Sequence, residues 1–166
     1  SKHFKDFGGI WPTHGVENTR GAELHDDLAV EETNVAHFYK GTGIEEHGYS
    51  GWEGKNIEGW ALEKFVRQII RMMMEKYANK YDDVLVNIYH SGLATDFCDK
   101  ATTLDSINFV HRWIAENPQF RSTRCYLVQD AVRAVDLKEG DGDHAIEEMR
   151  CAGVVITNSE EVCCDH

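Results

Sequence analysis

Apolar side chains recur at helical or strand spacing through most of the chain after residue 57. Residues 58–80 carry them three and four positions apart, which predicts a helix with one apolar stripe. The stripe consists of Leu62, Phe65, Val66, Ile69, Met73 and Tyr77. The three methionines at 72–74 are predicted to fill gaps in the core. Residues 84–89 are almost continuously apolar, which is typical of a parallel strand covered on both faces.

Strands and helices alternate in the rest of the pattern. The predicted elements are a short strand over 35–39, a helix over 97–116, a strand over 124–129, a helix over 141–152 and a strand over 154–157. Ala145, Met149 and Ala152 are expected to face the core, and Gly153 to end their helix. This order predicts an α/β fold, with a parallel sheet flanked by helices, in a single domain over residues 1–166.

Two long segments, 1–34 and 41–56, are rich in glycine and polar residues and are predicted to be loops. Long loops inside a compact domain are uncommon and often functional. A parallel α/β domain usually begins with a buried strand, and the pattern contains none before the first loop. We therefore expect the opening strand of the domain to be missing from these 166 residues.

Composition narrows the class of protein. The net charge of −12, from 17 basic and 29 acidic residues, argues against nucleic acid or an anionic membrane as a partner. No apolar run approaches the about 20 residues that a membrane helix needs, and no signal segment opens the chain. Five cysteines without regular spacing do not indicate a disulfide framework. We therefore expect a cytoplasmic protein with at least one working thiol.

Cys98 follows the strand predicted at 84–89 and lies in the first turn of the next helix. Ligands of open α/β sheets bind at the carboxyl ends of strands, and a helix N-terminus favours a thiolate. Thr95 or Asp96 is predicted to cap that helix, and nearby backbone amides could hold an oxyanion. The pattern indicates a nucleophile on a strand–turn–helix elbow, with a buried inert cysteine as the alternative.

Lys40 and His14 are two further candidates. Lys40 is expected at the carboxyl end of the strand predicted at 35–39, where its ammonium would favour a thiolate at Cys98; a solvated surface lysine is the alternative. His14, with His3 upstream, suits a metal ion, although catalytic zinc sites usually carry three protein ligands. The cysteines and the histidine at 163–166 are assigned no function, because terminal residues are often disordered.

Several segments, in order along the chain, resemble one family of enzymes. The first is Gly92-Leu93-Ala94-Thr95-Asp96-Phe97-Cys98, followed by Lys100-Ala101-Thr102. The others are Trp11-Pro12-Thr13-His14 with residues 18–25, Lys40-Gly41 with residues 49–54, and the segments 128–134 and 147–153. Together they resemble the nicotinamidases (pyrazinamidases) of the isochorismatase-like cysteine hydrolases, over nearly the whole chain.

The resemblance implies an isochorismatase-like fold and the hydrolysis of nicotinamide to nicotinate and ammonia through a thioester. It makes Cys98 the nucleophile and Lys40 its triad lysine. The amides of Ala94 and Cys98 would form the oxyanion hole, with a cis peptide bond before Ala94. It further implies a divalent metal ion, with zinc first and iron or manganese as alternatives, that holds the pyridine nitrogen. The residues implied at the metal are His14 and His3, and those implied around the ring are Trp11, Tyr49 and Leu93.

The sequence departs from the family pattern in two places. Gly15 follows His14, where the family usually has a cysteine that is not the nucleophile. The first strand of the family, which carries the acid/base aspartate and an Asp-x-His metal pair, has no counterpart in these 166 residues. We expect a separate or preceding N-terminal segment to supply these groups, and homo-oligomerisation remains open. Two alternatives also remain: a related hydrolase that acts on a carbamoyl or ureido amide, and an inactive relative or binding subunit.

Overall fold

Three parallel strands form the centre of the fold. The structure, a computed structural model, describes residues 12, 14–28, 35–43, 48–77, 85–118 and 122–164. The strands are β1 (Asn87–Leu93), β2 (Arg124–Arg133) and β3 (Val155–Thr157), and they lie in the order β1-β2-β3. Asn87 pairs with Arg124, and Tyr126 pairs with Val155. The predicted α/β class with a parallel sheet is therefore confirmed.

The described residues also form four α-helices. They are α1 (Leu62–Tyr77), α2 (Lys100–Glu116), α3 (Asp141–Cys151) and α4 (Ser159–Cys164). Short 3₁₀ turns occur at Arg20–Ala22 and Gly51–Glu53, and one turn of π-helix spans Thr95–Asp99. The pattern does not predict α4, whose Ser159 amide donates to the Asp130 carboxylate in β2 (2.8 Å). Within the described ranges, no helix is long and apolar enough to cross a membrane.

The core lies between α2, α3 and the sheet. Phe109 and Val110 of α2, Leu127 of β2 and Met149 of α3 are at most 1 % exposed. Burial of each such side chain contributes about 1.5–3 kcal/mol, so this layer stabilises the packing of α2 and α3 on the sheet. The indole of Trp113 extends the layer and stacks on Phe109 at a centroid distance of 5.9 Å.

The predicted end of α3 is confirmed. Gly153 has φ of +100°, and its amide donates to the Arg150 carbonyl (3.0 Å). The Val154 amide donates to the Met149 carbonyl (3.1 Å), which completes the glycine-terminated helix end known as the Schellman motif. Ala145 and Met149 are buried as predicted. The chain thus reverses sharply from α3 into β3.

Two strand predictions are wrong in part. Residues 35–38 form no strand, and Tyr39 makes only an isolated antiparallel bridge with Lys55. β1 begins at Asn87 and continues to Leu93, through residues that the sequence predicts to be a turn. The register shifts between His90 and Gly92, so the strand continues past an irregularity that apolar periodicity does not reveal.

The apolar face of α1 is also displaced from its prediction. Ile70 is buried (3 % exposed), and Val66 and Met74 pack against the core. Ile69 and Met73, both assigned to the stripe, are 41 % and 44 % exposed. Met72 is 57 % exposed, so only the third methionine of the run fills the core. Neighbouring stripes of one helix differ by a single position, and tertiary packing selects between them.

Candidate active site

The end of β1 leads directly into an unusual turn, formed by residues 93–99 and called the elbow below. The peptide bond between Leu93 and Ala94 is cis. The Ala94 carbonyl accepts the amides of Phe97 and Asp99, both at 3.0 Å, which are three and five residues further along. This wide turn places Cys98 at the carboxyl end of β1, just before α2. Such π-helical turns occur frequently at functional sites.

Asp96 anchors the elbow to the segment after β2. It was predicted, with Thr95, as a helix cap, but no side-chain cap bond forms at this turn. The two Asp96 carboxylate oxygens instead accept the amides of Val135 and Asp136, both at 2.9 Å. Asp136 in turn accepts the Gly142 amide at the start of α3 (2.8 Å). The capping prediction is wrong because two amides from a distant segment occupy the buried carboxylate.

Lys40 and Cys98 meet at the elbow. The Lys40 Nζ lies 3.0 Å from the Cys98 Sγ, 2.6 Å from the Gly48 carbonyl oxygen and 2.8 Å from the Tyr49 carbonyl oxygen. An ammonium has three protons and no acceptor, so these three partners account for all of its donors. Two carbonyls therefore hold the lysine while its third proton faces the sulfur.

The lysine does not follow a strand as predicted; it lies opposite a tight loop, residues 48–54, called the lysine loop below. Gly48 has φ of +68°, and a Cβ there would lie 3.0 Å from the Cα of Gly41. The Gly48 amide donates to the Glu53 carboxylate (3.0 Å), which closes the lysine loop. Only glycine allows this close approach, and it brings the Gly48 carbonyl to the ammonium.

The residues assigned to a substrate ring are described only in part. The Tyr49 ring is half-buried and stacks on Phe97, with centroids 6.1 Å apart. Leu93 is 73 % exposed where β1 ends. Leu93 is therefore the first residue of the elbow, and the Tyr49 ring lies against the elbow residue Phe97. Trp11 lies outside the described residues.

His14 is the one predicted metal ligand within the described residues, since His3 lies outside them. Its Nδ1 is 2.7 Å from the Pro12 carbonyl oxygen, which can only accept, so Nδ1 carries a proton. Metal-binding histidines commonly have this arrangement. Across the described ranges, no group of three or more His, Cys, Asp or Glu side chains converges as a metal site. The described residues therefore supply one candidate ligand and not a complete metal site.

Buried titratable groups lie in the elbow and in β1 and β2. Burial raises the pKa of Asp99 to about 6, and its Oδ2 has no hydrogen-bond partner among the described residues. Burial, and then the Asp99 charge, raise the pKa of Cys125 to about 12. Burial lowers the pKa of His90 to about 4. Cys125 is therefore an inert thiol, and the four cysteines whose state is described, Cys98, Cys125, Cys151 and Cys163, are all free.

The sequence did not reveal the residues that fasten the lysine loop to α2. The Thr102 hydroxyl donates to the Cys98 carbonyl (2.7 Å) and accepts the Gly51 amide (2.8 Å). One turn further along α2, Ser106 Oγ accepts the indole Nε1–H of Trp52 (2.6 Å). The four-residue spacing from Cys98 to Thr102 is the signal that could have indicated the first contact, because such residues share a helix face.

Comparison with curated proteins finds nicotinamidases at low identity. The nicotinamidase of Escherichia coli K12 is 27 % identical over 148 residues, which are 89 % of this chain and 57 % of that protein. The nicotinamidase of Acinetobacter baylyi is 24 % identical over 92 % of this chain and 59 % of its own length. The chain thus spans less than two thirds of these relatives. No protein-family model matches it.

Comparison with solved structures finds proteins of the same fold. A Pyrococcus horikoshii pyrazinamidase in complex with zinc has a TM-score of 0.62 and 28 % identity, over 93 % of this chain and 66 % of that one. PnC1 from L. infantum in complex with nicotinate has a TM-score of 0.63 at 22 % identity, over 95 % and 65 %. An isochorismatase family protein from Desulfovibrio vulgaris reaches 0.51 at 15 % identity. The predicted isochorismatase-like fold and the resemblance to nicotinamidases are confirmed.

Proposed function

We propose that this protein is an amidohydrolase that converts nicotinamide and water into nicotinate and ammonia, with Cys98 as its nucleophile. The observation that carries the proposal is the 3.0 Å contact between the Lys40 ammonium and the Cys98 sulfur at the end of β1. A cysteine that is only exposed to solvent, or that only fills the core, does not require contact with a lysine ammonium. The nicotinamidases among the relatives support the choice of nicotinamide as substrate.

The reaction starts with attack of the Cys98 thiolate on the amide carbonyl carbon. A C–S bond forms and the electron pair of the C=O bond moves to oxygen, where the amides of Ala94 and Cys98 donate to the oxyanion. The C–N bond then breaks, and the nitrogen leaves as ammonia once it has gained a proton. Water attacks the resulting thioester, nicotinate leaves, and the thiolate is restored.

The two proton transfers need a group that gives a proton to the leaving nitrogen and later takes one from water. Lys40 does not fit this role because two carbonyls and the sulfur already accept its protons. Among the described residues, no carboxylate lies within ion-pair distance of the Lys40 ammonium. We assign the transfers to the aspartate that the family resemblance places on a first strand, a strand without counterpart in these 166 residues.

For the substrate ring we propose walls formed by Tyr49, Leu93 and Trp11. His14 and His3 are proposed as ligands of a divalent metal ion, zinc first and iron or manganese as alternatives. The zinc complex of the related pyrazinamidase supports this choice. When bound, the ion would hold the pyridine nitrogen and orient the amide towards Cys98. The Nδ1 hydrogen bond of His14 to the Pro12 carbonyl is of the kind that orients a ligating imidazole.

The predictions about binding partners, oligomeric state and cellular location stay predictions. They are a separate N-terminal segment that supplies the aspartate and further metal ligands, a homo-oligomer, and a cytoplasmic location. Light scattering of the purified protein measures its oligomeric state, and intact mass identifies any co-purifying segment.

The test is release of ammonia and nicotinate from nicotinamide. We expect turnover by the wild type assayed together with the segment that supplies the aspartate, loss of turnover in Cys98→Ala, and wild-type turnover in Cys151→Ala, whose thiol is exposed on α3. Hydrolysis of a carbamoyl amine without hydrolysis of nicotinamide would replace the proposed substrate. Turnover of neither compound would support a binding subunit instead, and full activity of Cys98→Ala would contradict the mechanism.

A further inference from the structure

A closed ring of hydrogen bonds joins the candidate nucleophile to the loop that holds its lysine. The Cys98 sulfur accepts from the Lys40 ammonium (3.0 Å), which also donates to the Tyr49 carbonyl (2.8 Å). Two residues along the chain, the Gly51 amide donates to the Thr102 hydroxyl (2.8 Å). That hydroxyl donates to the Cys98 carbonyl (2.7 Å), which returns the ring to its start.

We infer that Thr102 is a positioning residue that keeps the Lys40 ammonium directed at the Cys98 thiol. The inference rests on the proposed function, in which this thiol is the nucleophile. The Thr102 hydroxyl hydrogen-bonds to two backbone groups, the Cys98 carbonyl and the Gly51 amide, and acts on the thiol and the ammonium through them. This hydroxyl has one donor and two lone pairs, so a single side chain satisfies both.

The position of the ammonium depends on the position of the lysine loop. Two of its three protons go to the carbonyls of Gly48 and Tyr49, which belong to the lysine loop. Movement of the lysine loop away from α2 would therefore carry the ammonium with it. An increase of about 1 Å in a donor–acceptor distance of 3 Å takes that contact beyond hydrogen-bond range.

The fit between the lysine loop and α2 is close at this point. A Cβ at Gly51 would lie 3.2 Å from the Thr102 methyl carbon and 3.4 Å from its hydroxyl oxygen. The backbone of the lysine loop therefore rests directly on the threonine side chain. The other fastening, from Trp52 to Ser106, belongs to the core, since the Trp52 ring packs on Phe109 with centroids 4.8 Å apart. Thr102 is thus the contact specific to the ammonium-holding part of the lysine loop.

The experiment compares Thr102→Val with Thr103→Val. Valine keeps the volume of threonine and removes the hydroxyl, so the first variant loses both hydrogen bonds of the ring. Thr103 is the matched control, because it lies one residue further along, is fully buried, and its hydroxyl has no partner among the described residues. Thr102→Ser restores the hydroxyl and serves as the rescue variant.

The readout is the rate of iodoacetamide alkylation of Cys98, followed on its own peptide by mass spectrometry. The rate at about pH 6 is divided by the rate at about pH 10, where every accessible thiol is largely thiolate. We expect Thr102→Val to lower this ratio by roughly 3- to 10-fold, because a weaker contact with the cation stabilises the thiolate less. Thr103→Val and Thr102→Ser should keep the wild-type ratio. The exposed thiol of Cys151 in the same samples is the internal reference.

Three results would overturn the inference. One is an alkylation ratio in Thr102→Val equal to that of the wild type, while Lys40→Met lowers the ratio. In that case Lys40 still acts on Cys98, and the proposed function is not affected. Another is an equal loss in Thr102→Val and Thr103→Val, which indicates general destabilisation. The third is failure of Thr102→Ser to recover the ratio. A wild-type Cys98 with the same pH profile as Cys151 would instead contradict the proposed function. Should Thr102→Val not fold, Thr102→Ala is measured in its place with the same expectation.

Discussion

The Lys40 ammonium is placed by three acceptors that come from two distant parts of the chain. Its contact with the Cys98 sulfur joins residues 58 positions apart, and the two carbonyls belong to the lysine loop. The sequence predicted that Lys40 and Cys98 meet but placed the lysine after a strand. The carbonyl partners could not be predicted, because every residue has a backbone carbonyl and the amino-acid type does not show which of them accept from Lys40.

Replacement of Lys40 by methionine should remove the cation and leave the length of the side chain. We expect the alkylation rate of Cys98 at about pH 6 to fall by roughly 10-fold or more, and nicotinamide turnover to fall at least as far. Lys55→Met is the control, because Lys55 is exposed on the partner segment of the same bridge. Wild-type alkylation of the Lys40 variant at that pH would show that the contact does not activate the thiol.

Asp99 gives a second prediction, on the dependence of stability on pH. Burial raises its pKa from 3.8 to about 6 in the folded protein, so folding favours the protonated form. The stability from this group is present below about pH 4 and is lost as the pH rises through about 6. Asp99→Asn removes that loss. The unfolding free energy of the variant, relative to wild type, should therefore increase between about pH 4 and about pH 7.

The size of that increase is on the order of 3 kcal/mol, from the two pKa values and 1.36 kcal/mol per unit. Urea denaturation at several pH values measures it. Asp105→Asn, at an exposed position of α2, should show no such trend. A constant difference between Asp99→Asn and wild type across this pH range would mean that Asp99 titrates normally when folded.

Elements with strong local signals were predicted well, and those set by tertiary contacts were not. α3 ends at a glycine with positive φ, as its sequence indicates. The apolar face of α1 instead differs by one position from the prediction, because packing on the core selects Ile70 over Ile69. β1 passes through the irregularity at His90 and Gly92 by pairing with β2, and no single-strand pattern contains that information.

A substitution at Asp96 measures how much its hydrogen bonds, which join the elbow to the segment before α3, contribute to the unfolding free energy. Asparagine carries an NH₂ donor in place of the second carboxylate oxygen, so Asp96→Asn sets that donor against the amide of Val135 or Asp136 and loses one of the two hydrogen bonds. We expect a loss of about 1–3 kcal/mol in unfolding free energy, measured by urea denaturation. The same Asp105→Asn variant provides the comparison. A variant as stable as wild type would show that the two bonds do not hold these elements together.

At the scale of the whole molecule, the described residues bring together Cys98 and Lys40 but do not form a complete metal site. Their one predicted ligand, His14, lies in a segment where His25 is a second exposed imidazole. The resemblance names His3 and groups beyond these 166 residues as the other ligands. The metal site could therefore be predicted only from the family pattern, since a single exposed histidine carries no signal of its own.

Zinc binding by the purified protein tests this assignment. His14→Ala should lower zinc affinity by at least about 10-fold in a competition titration with a chromogenic chelator, because one of few ligands is lost. His25→Ala should bind zinc as wild type does, since its ring is engaged with Asp27 at 3.6 Å. Equal losses in both variants would point to adventitious binding by exposed imidazoles.

The central claim, that Cys98 attacks the amide of nicotinamide, is tested most directly by the mass of the Cys98 peptide during turnover. Wild-type protein is mixed with excess nicotinamide, quenched in acid and digested. We expect a nicotinoyl group on the Cys98 peptide, no such group on the Cys151 peptide, and none in protein quenched without substrate. Formation of nicotinate while the Cys98 peptide stays unmodified at every quench time would contradict the account.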